Sequence, residues 1–393
     1  VSRPLEARAV ARLTDVCGIA GSRGRTVGSW LDLARSMGAG SALRRARSRG
    51  GGVLDASVRN AVYAAIWREA AERAGAEVRD LGSGFLEIGA GGRPAARIWQ
   101  QVVPLDDPVT LKLALDKPVV HGLLHRAAVP VPEHREWRFA DYRPALAFLA
   151  EAAGPCVVKA ASGTGGGEGT TAGVDTPARL MRARLRAGRF DTRLLIERQA
   201  PGDVYRLLFL DGELIDVIRH LPPRLTGDGT LTVEGLIDAE NARRVAAAGA
   251  AGLSLLDVGL DTVFTLERQG LRLDSVVPAG ASVAVQTVTN DNRIEDTSTV
   301  KEPLSGELVD AARRAAAAVG LRLAGVDVIT TDPSQPLERT GGVVVEVNGT
   351  PGIHHHYHVA DGANATRVAV PIIERVLSDL DQDEPSTTRE QVA

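Results

Sequence analysis

Cysteine is nearly missing from this 393-residue sequence: Cys17 and Cys156 are the only two, and they lie far apart. That argues against a disulfide framework and for two reduced thiols. No run of 18 or more apolar residues occurs, which excludes a transmembrane helix. The opening stretch VSRPLEARAVARLTDVCGIAG lacks the continuous apolar segment of a secretory leader, so the expectation is a cytoplasmic protein. Charge of one sign is also missing. With a net charge of −3 and no dense lysine–arginine cluster, neither nucleic acid nor a membrane surface is expected as a partner. Several motifs are absent as well. No GK[ST] exists, which excludes a Walker A loop, and no G-x-S-x-G elbow points to a nucleophilic serine. GAGSAL at 38–43 lacks the third glycine of a dinucleotide fingerprint.

Lysine is the scarcest of the common charged residues. Of 46 basic residues only Lys112, Lys117, Lys159 and Lys301 are lysine. In a chain this rich in alanine, glycine and arginine, a lysine that persists marks a place where a compact ammonium is needed, as at a phosphate.

Composition is otherwise that of a globular protein, with 44% apolar and 24% charged residues. The length suggests two or three domains. Residues 1–105 are arginine-rich and contain a helical stretch, VRNAVYAAIWREAAERAGAEV, with Val62, Ile66 and Ala70 at helical spacing. Glycines in 82–92 enclose a short strand, FLEI. DPVTLKLALDKPVVHGLLHRAAV is predicted as one helix ended by PVPE, and FADYRPALAFLAEAAG as a second. The strand CVVKA leads into the glycine-rich loop ASGTGGGEGTT, a helix over 176–187 and the strand LLIE. VYRLLFLDGELIDVIRHL is a hairpin turned at Asp211-Gly212. LAGVDVITTD and GGVVVEVNG form a last strand pair, and the polar stretch SDLDQDEPSTTREQVA is predicted as a frayed tail. The fold class is α/β (α+β), with antiparallel hairpins carrying most of the polar signals.

Three groups of residues carry chemistry. The loop at 163–169 holds five glycines in seven residues just after Lys159. Such a run is an ordinary flexible loop or, beside a lysine, a phosphate cradle. In the last strand pair, Glu346 and Asn348 share one face, with Val343, Val345 and Val347 expected on the core face. Asp327 lies among apolar residues on the preceding strand. Three such oxygen donors suit Mg²⁺, though edge-strand carboxylates facing solvent read the same way. IERQAPGDVYRLLFLDGEL leaves a buried strand through a Pro-Gly turn, as a hinge between two lobes does. His354, His355, His356 and His358 in GIHHHYH are candidates for substrate contact or proton handling, and otherwise for packing or a separate metal.

The order of these groups resembles the ATP-grasp superfamily. The closer resemblance is to the ATP-grasp half of cyanophycin synthetase and related glutamate- and peptide-ligating enzymes. LPPRLTGDGTLTVEGLI at 221–237, LDSVVPAGASV at 273–283 and AGVDVITTDPSQPLERTGGVVVEVNGTPG at 324–352 carry it, and it covers about residues 105–375. The resemblance implies an ATP-grasp fold holding the nucleotide between two lobes, with a variable N-terminal domain over 1–105. The small lobe is then 106–200, the large lobe 201–376 and the tail 377–393. It implies a carbon–nitrogen ligase that activates a carboxylate with ATP and joins it to an amine. The alternatives are a phosphotransferase or carboxylase-like enzyme, or a nucleotide-binding protein without ligase activity.

Carried over by position, Lys117 and Lys159 bind the ATP phosphates under a lid of Gly163, Gly165 and Gly166, with Ser162 and Thr164 as hydroxyl donors. Glu197, Arg198 and Ala200 form the adenine hinge. Asp327, Glu346 and Asn348 hold Mg²⁺, with Mn²⁺ as a substitute. Arg206 lies near the transferred phosphate, and Arg219, Gly349, His354 and His356 contact substrate. Two positions depart from the family. Val204 stands where a ribose-binding acid is usual, leaving Asp203 to substitute. TNDNRIEDTST at 289–299 replaces a glycine-containing substrate loop, which gives Asn292 and Arg293 substrate and catalytic roles. The second, Mur-ligase-like half is not seen, so a single ligation is expected rather than a polymerising cycle. Amino acids or short peptides are the expected partners, and a homo-oligomer is compatible with the sequence.

Overall fold

The computed structural model describes residues 56–89, 95–165, 167–248, 253–289 and 294–383. Cys17, Gly166, Asn292 and Arg293 lie outside these residues.

The described chain opens with helix α1 (Ala56–Arg73), followed by an antiparallel sheet of β1 (Glu77–Gly82), β2 (Phe85–Gly89) and β3 (Ala96–Trp99). The buried Tyr63, Ile66, Trp67, Ala70 and Ala71 recur at helical spacing on α1, and the Trp67 indole N–H donates to the Gln100 carbonyl at 2.7 Å. Next come α2 (Pro108–Ala114) and α3 (Lys117–Arg126), two helices where one was predicted. Pro118 cannot stand inside a helix without removing a hydrogen bond, so the chain breaks before it. Asp116 caps the new start, its carboxylate accepting from Val119 N, as Asp107 caps α2. The break places Lys117 at a helix start instead of mid-helix.

A four-stranded antiparallel sheet follows, formed by β4 (His134–Arg138), β5 (Cys156–Ala160), β6 (Thr171–Val174) and β7 (Arg193–Arg198) in the order β4-β7-β5-β6. Helices α4 (Arg143–Glu151) and α5 (Pro177–Ala187) cover one face, with Phe148 and Leu180 packed on Val158, Leu194 and Ile196. Cys156 lies in this core, and burial pushes its thiol up to about 11, leaving it inert.

The hairpin β8 (Asp203–Leu210) and β9 (Glu213–His220) turns at Asp211-Gly212 as predicted, both residues having positive φ. A small unit comprises β10 (Arg224–Thr226), α6 (Val233–Ala246), α7 (Leu260–Arg268) and β11 (Ser282–Ala284). The chain then runs through β12 (Thr297–Thr299), α8 (Gly306–Val319), β13 (Leu323–Thr330), α9 (Leu337–Thr340), β14 (Val343–Asn348) and α10 (Ala369–Asp383). The second large sheet has the order β12-β9-β8-β13-β14 and is antiparallel throughout. Helix α10 continues to Asp383, so residues 377–383 of the expected tail are helical, with Leu377 and Leu380 packed on the core.

Alternation along β8 divides this sheet's environment. Leu207 and Phe209 face a core with α3 and α8, while Leu208 and Leu210 face one shared with α1 and α10. Arg206 has the parity of Leu208 and Leu210. One half of that face is therefore covered by α1 and α10, and the other half is left for polar residues. On β14 the expected alternation fails. A register shift opposite Asp327/Val328 puts Val344 and Val347 in the core, while Val345 lines a cavity.

Candidate active site

A cavity of about 740 Å³ opens between the four-stranded sheet and the uncovered half of the five-stranded one. Its floor is set by cross-strand register. Asp327 on β13 pairs with Arg206 on β8 and Glu346 on β14, so these side chains share a face. The Arg206 guanidinium donates to both Asp327 oxygens at 2.7 Å, and the Asn348 amide donates to Asp327 Oδ2 at 3.2 Å. Burial pushes the Asp327 carboxyl up from its ordinary value, and the Arg206 charge pulls it back.

The opposite wall supplies the lysines. Lys159, pointing in from β5, lies 2.8 Å from Glu197 Oε2 on β7, and both are buried. Lys117 Nζ lies 3.4 Å from Thr164 Oγ1 and 3.8 Å from Glu346 Oε1. Burial lowers its pKa, against the Glu346 carboxylate, which raises it. Behind Glu197 stands His121, with Nε2 3.7 Å from Glu197 Oε1 and its ring edge-on to His134. Burial, then the Lys159 charge, takes this imidazole down to about 3, so it is neutral. The hinge runs through Gly202, where φ is +111° and a Cβ would come 2.2 Å from the Thr330 carbonyl. Only glycine fits that close approach.

Most of the predicted residues are brought together. Lys117, Lys159, Thr164, Gly165, Glu197, Arg198, Ala200, Asp203, Arg206, Asp327, Glu346, Asn348, Gly349 and His354 all line the cavity. Others do not. The Ser162 hydroxyl donates to Asp191 at 2.9 Å, and neither it nor Gly163 is among the lining residues. Arg219 is paired with Asp203 across the β8–β9 hairpin and lies off the cavity. His356 is fully buried behind the wall with Nδ1 2.6 Å from Asp216, and burial lowers its pKa despite that carboxylate. Among the described residues no group of three or more His, Cys, Asp or Glu is arranged to hold a metal ion.

Sequence reasoning missed several lining residues. Arg59 and Tyr63 come from α1, and Lys112 from α2. His220 also lines the cavity, in edge contact at 5.2 Å with His355 of the predicted histidine segment, as do Thr287 and Val288 just before the predicted 289–299 loop. Of these, only Lys112 gave a signal, its rarity.

Two antiparallel sheets facing each other across a lysine- and carboxylate-lined cleft, joined by a hinge, define the ATP-grasp fold. The chain is homologous to ATP-grasp ligases. It is 32% identical over 268 residues to cyanophycin synthetase of Synechocystis, a match covering 67% of this chain and 30% of that protein. The bifunctional glutathione biosynthesis protein GshAB of Streptococcus thermophilus is 26% identical over 281 residues, covering 70% of this chain and 37% of the relative. The chain thus spans about a third of the length of these curated relatives. Among solved structures, a bifunctional glutathione synthetase from Pasteurella multocida superposes with a TM-score of 0.52 at 22% identity, covering 81% of this chain and 44% of that one. No protein-family model matches the chain.

Proposed function

We propose that the protein is an ATP-dependent ligase that joins a carboxylate to an amine through an acyl phosphate. The observation that carries this reading is the order of groups along the strands of the large sheet. The hinge at Gly202–Asp203 pairs with Thr330, Asp327 lies three residues along β13, and Asn348 pairs with Gly325 two residues further. At about 3.3 Å per residue, a nucleotide with its base at the hinge reaches the Asp327–Glu346 pair with its terminal phosphates.

Glu197, Arg198 and Ala200 present the hinge to the base, and Asp203 stands where the ribose lies. Lys117 and Lys159 neutralise phosphate oxygens as point charges. The hard oxygen donors Asp327, Glu346 and Asn348 fit Mg²⁺, which keeps few protein ligands, although Arg206 shares Asp327 with it. When bound, the ion supplies charge neutralisation between the terminal phosphates. A substrate carboxylate oxygen then attacks the γ-phosphorus and ADP leaves. Arg206, next to that phosphorus, stabilises charge on the transferred group and later on the tetrahedral oxyanion. The amine, having lost a proton, attacks the acyl carbon, and collapse expels inorganic phosphate and leaves the amide. The glycine loop covers the reacting atoms and keeps water from the acyl phosphate. Amino acids or short peptides are the substrates this reading implies.

The test is phosphate release across a matrix of amino acids, with products weighed by mass spectrometry. Release that needs both a carboxylate and an amine is the expected result. Glu346→Gln is expected to abolish it with the circular dichroism spectrum unchanged, and ordinary turnover in that variant removes Glu346 from the metal site.

A further inference from the structure

The cavity continues past Asn348, at the end opposite the hinge, and its wall there is a short turn held from two sides. Gly349, Thr350, Pro351 and Gly352 line it and lead into the 3₁₀ turn Ile353–His356. Ile353 is fully buried in the core that α1 and α10 share. On one side the Tyr63 hydroxyl of α1 lies 2.7 Å from His354 Nδ1, joining residues 291 apart in the sequence. The two rings meet edge-on at 5.5 Å. On the other side His356 Nδ1 lies 2.6 Å from Asp216 Oδ2 on β9, and Asp216 also accepts from the Thr366 hydroxyl at 2.8 Å. The turn is tight at Gly352, where a Cβ would come 3.0 Å from both the His354 and His355 rings.

Between these anchors the rings form a row. His354 and His355 lie 4.0 Å apart, His355 meets His220 at 5.2 Å, and His220 Nδ1 lies 3.1 Å from Thr297 Oγ1 on β12. Tyr63, His354, His355 and His220 all line the cavity. Tyr63 and His354 are both buried, so their hydrogen bond is made away from bulk water, where losing one partner is felt strongly by the other. In a neutral imidazole the bond made at Nδ1 also decides whether Nε2 donates or accepts.

We propose that Tyr63 is a positioning residue for substrate recognition. It fixes the ring plane and tautomer of His354, which meets a polar group of the amino-acid or peptide substrate beyond Asn348. Helix α1, outside both large sheets, thereby helps set which substrate the cavity takes. The proposal rests on the ligase reading for which end of the cavity receives that substrate. The coupling of Tyr63 to His354 stands on their contact alone.

The test uses the full chain with ¹⁵N-labelled histidine, saturated with Mg·AMPPNP and titrated with each of the twenty common amino acids. His354 signals, assigned by their loss in His354→Ala, are expected to move with at least one of them. Tyr63→Phe removes the hydroxyl and keeps the ring that fills the core, and circular dichroism checks its fold. It should shift the His354 signals toward a mixture of tautomers and weaken that amino acid's binding about ten-fold, with AMPPNP affinity within about two-fold of wild type. His354→Ala should weaken the same amino acid, and Tyr63→Phe should add nothing in that background, since one residue acts through the other. A His354 signal that no amino acid moves overturns the proposal. So does amino-acid affinity unchanged in Tyr63→Phe, an equal loss of AMPPNP affinity, or two losses that simply add. Amino-acid binding that depends on Tyr63 and His354, without amine-dependent phosphate release, strikes the ligase reading alone. Amine-dependent release with a wild-type KM for every substrate in Tyr63→Phe strikes this one alone.

Discussion

Lys159 and Glu197 hold each other in a buried contact at 2.8 Å, and this gives the lysine two roles that can be separated. Under the proposed function, removing it deprives the nucleotide of one cation, and it leaves Glu197 buried without its partner. Lys159→Ala should therefore lower the unfolding free energy by about 3 kcal/mol as well as weaken Mg·AMPPNP binding. Adding Glu197→Gln to that variant should return most of the stability, since the stranded charge is gone, and leave nucleotide binding weak. Urea unfolding and calorimetry on the pair check this, and full nucleotide affinity in Lys159→Ala contradicts it. His121, behind the same pair, makes a pH test. Its imidazole falls from 6.5 to about 3 in the fold, so acid protonates the unfolded chain first and favours it. Stability from this group is present above pH 6.5 and is lost as pH falls toward 3. Between pH 7 and pH 5 the loss should be about 2 kcal/mol, and His121→Gln should remove that part of the pH dependence. An identical acid profile in wild type and variant would falsify the assignment.

At the level of elements, one carboxylate ties two cavity walls together. Asp261, buried at the start of α7, accepts from Ala172 N on β6 at 3.3 Å and from Thr287 N and Val288 N at 2.8 and 3.0 Å. Ala172, Thr287 and Val288 all line the cavity, and β6 is the strand the glycine loop runs into. Asp261→Asn turns an amide N–H toward donors, so it should cost about 2 kcal/mol. It should also speed hydrogen exchange at Ala172, Thr287 and Val288, and unchanged exchange there argues against the strut. The core strands β2, β5, β7, β8, β9, β13 and β14 were legible because apolar runs and the Asp-Gly turn are local signals, whereas the short or polar strands β1, β3, β4, β6 and β10–β12 carried no such signal. The helix break before Pro118 was legible in principle, as proline and the aspartate before it mark a start. The β14 register was not, since a bulge depends on the partner strand and leaves no local trace in VVVEV. The engagement of Ser162 by Asp191 and of Arg219 by Asp203 depends in the same way on packing between distant segments.

Across the whole molecule, α1 and α10 cover half of one face of the five-stranded sheet and leave the rest as the cavity floor. The polar floor residues were readable because oxygen-bearing side chains broke into apolar strands. The contribution of α1 was not, because Arg59 is one arginine among many and its role depends on where the helix docks. The same limit hid Lys112, whose rarity marked it while its place in the cavity came only from the packing of α2. Under the proposed function, this cavity moves the γ-phosphoryl group of ATP onto a substrate carboxylate. The most direct measurement uses that carboxylate labelled with ¹⁸O, with the released inorganic phosphate analysed by mass spectrometry. One labelled oxygen is expected in each phosphate released per amide formed, since the acyl C–O bond breaks when the amine attacks. Phosphate free of label, with amide still forming, contradicts it.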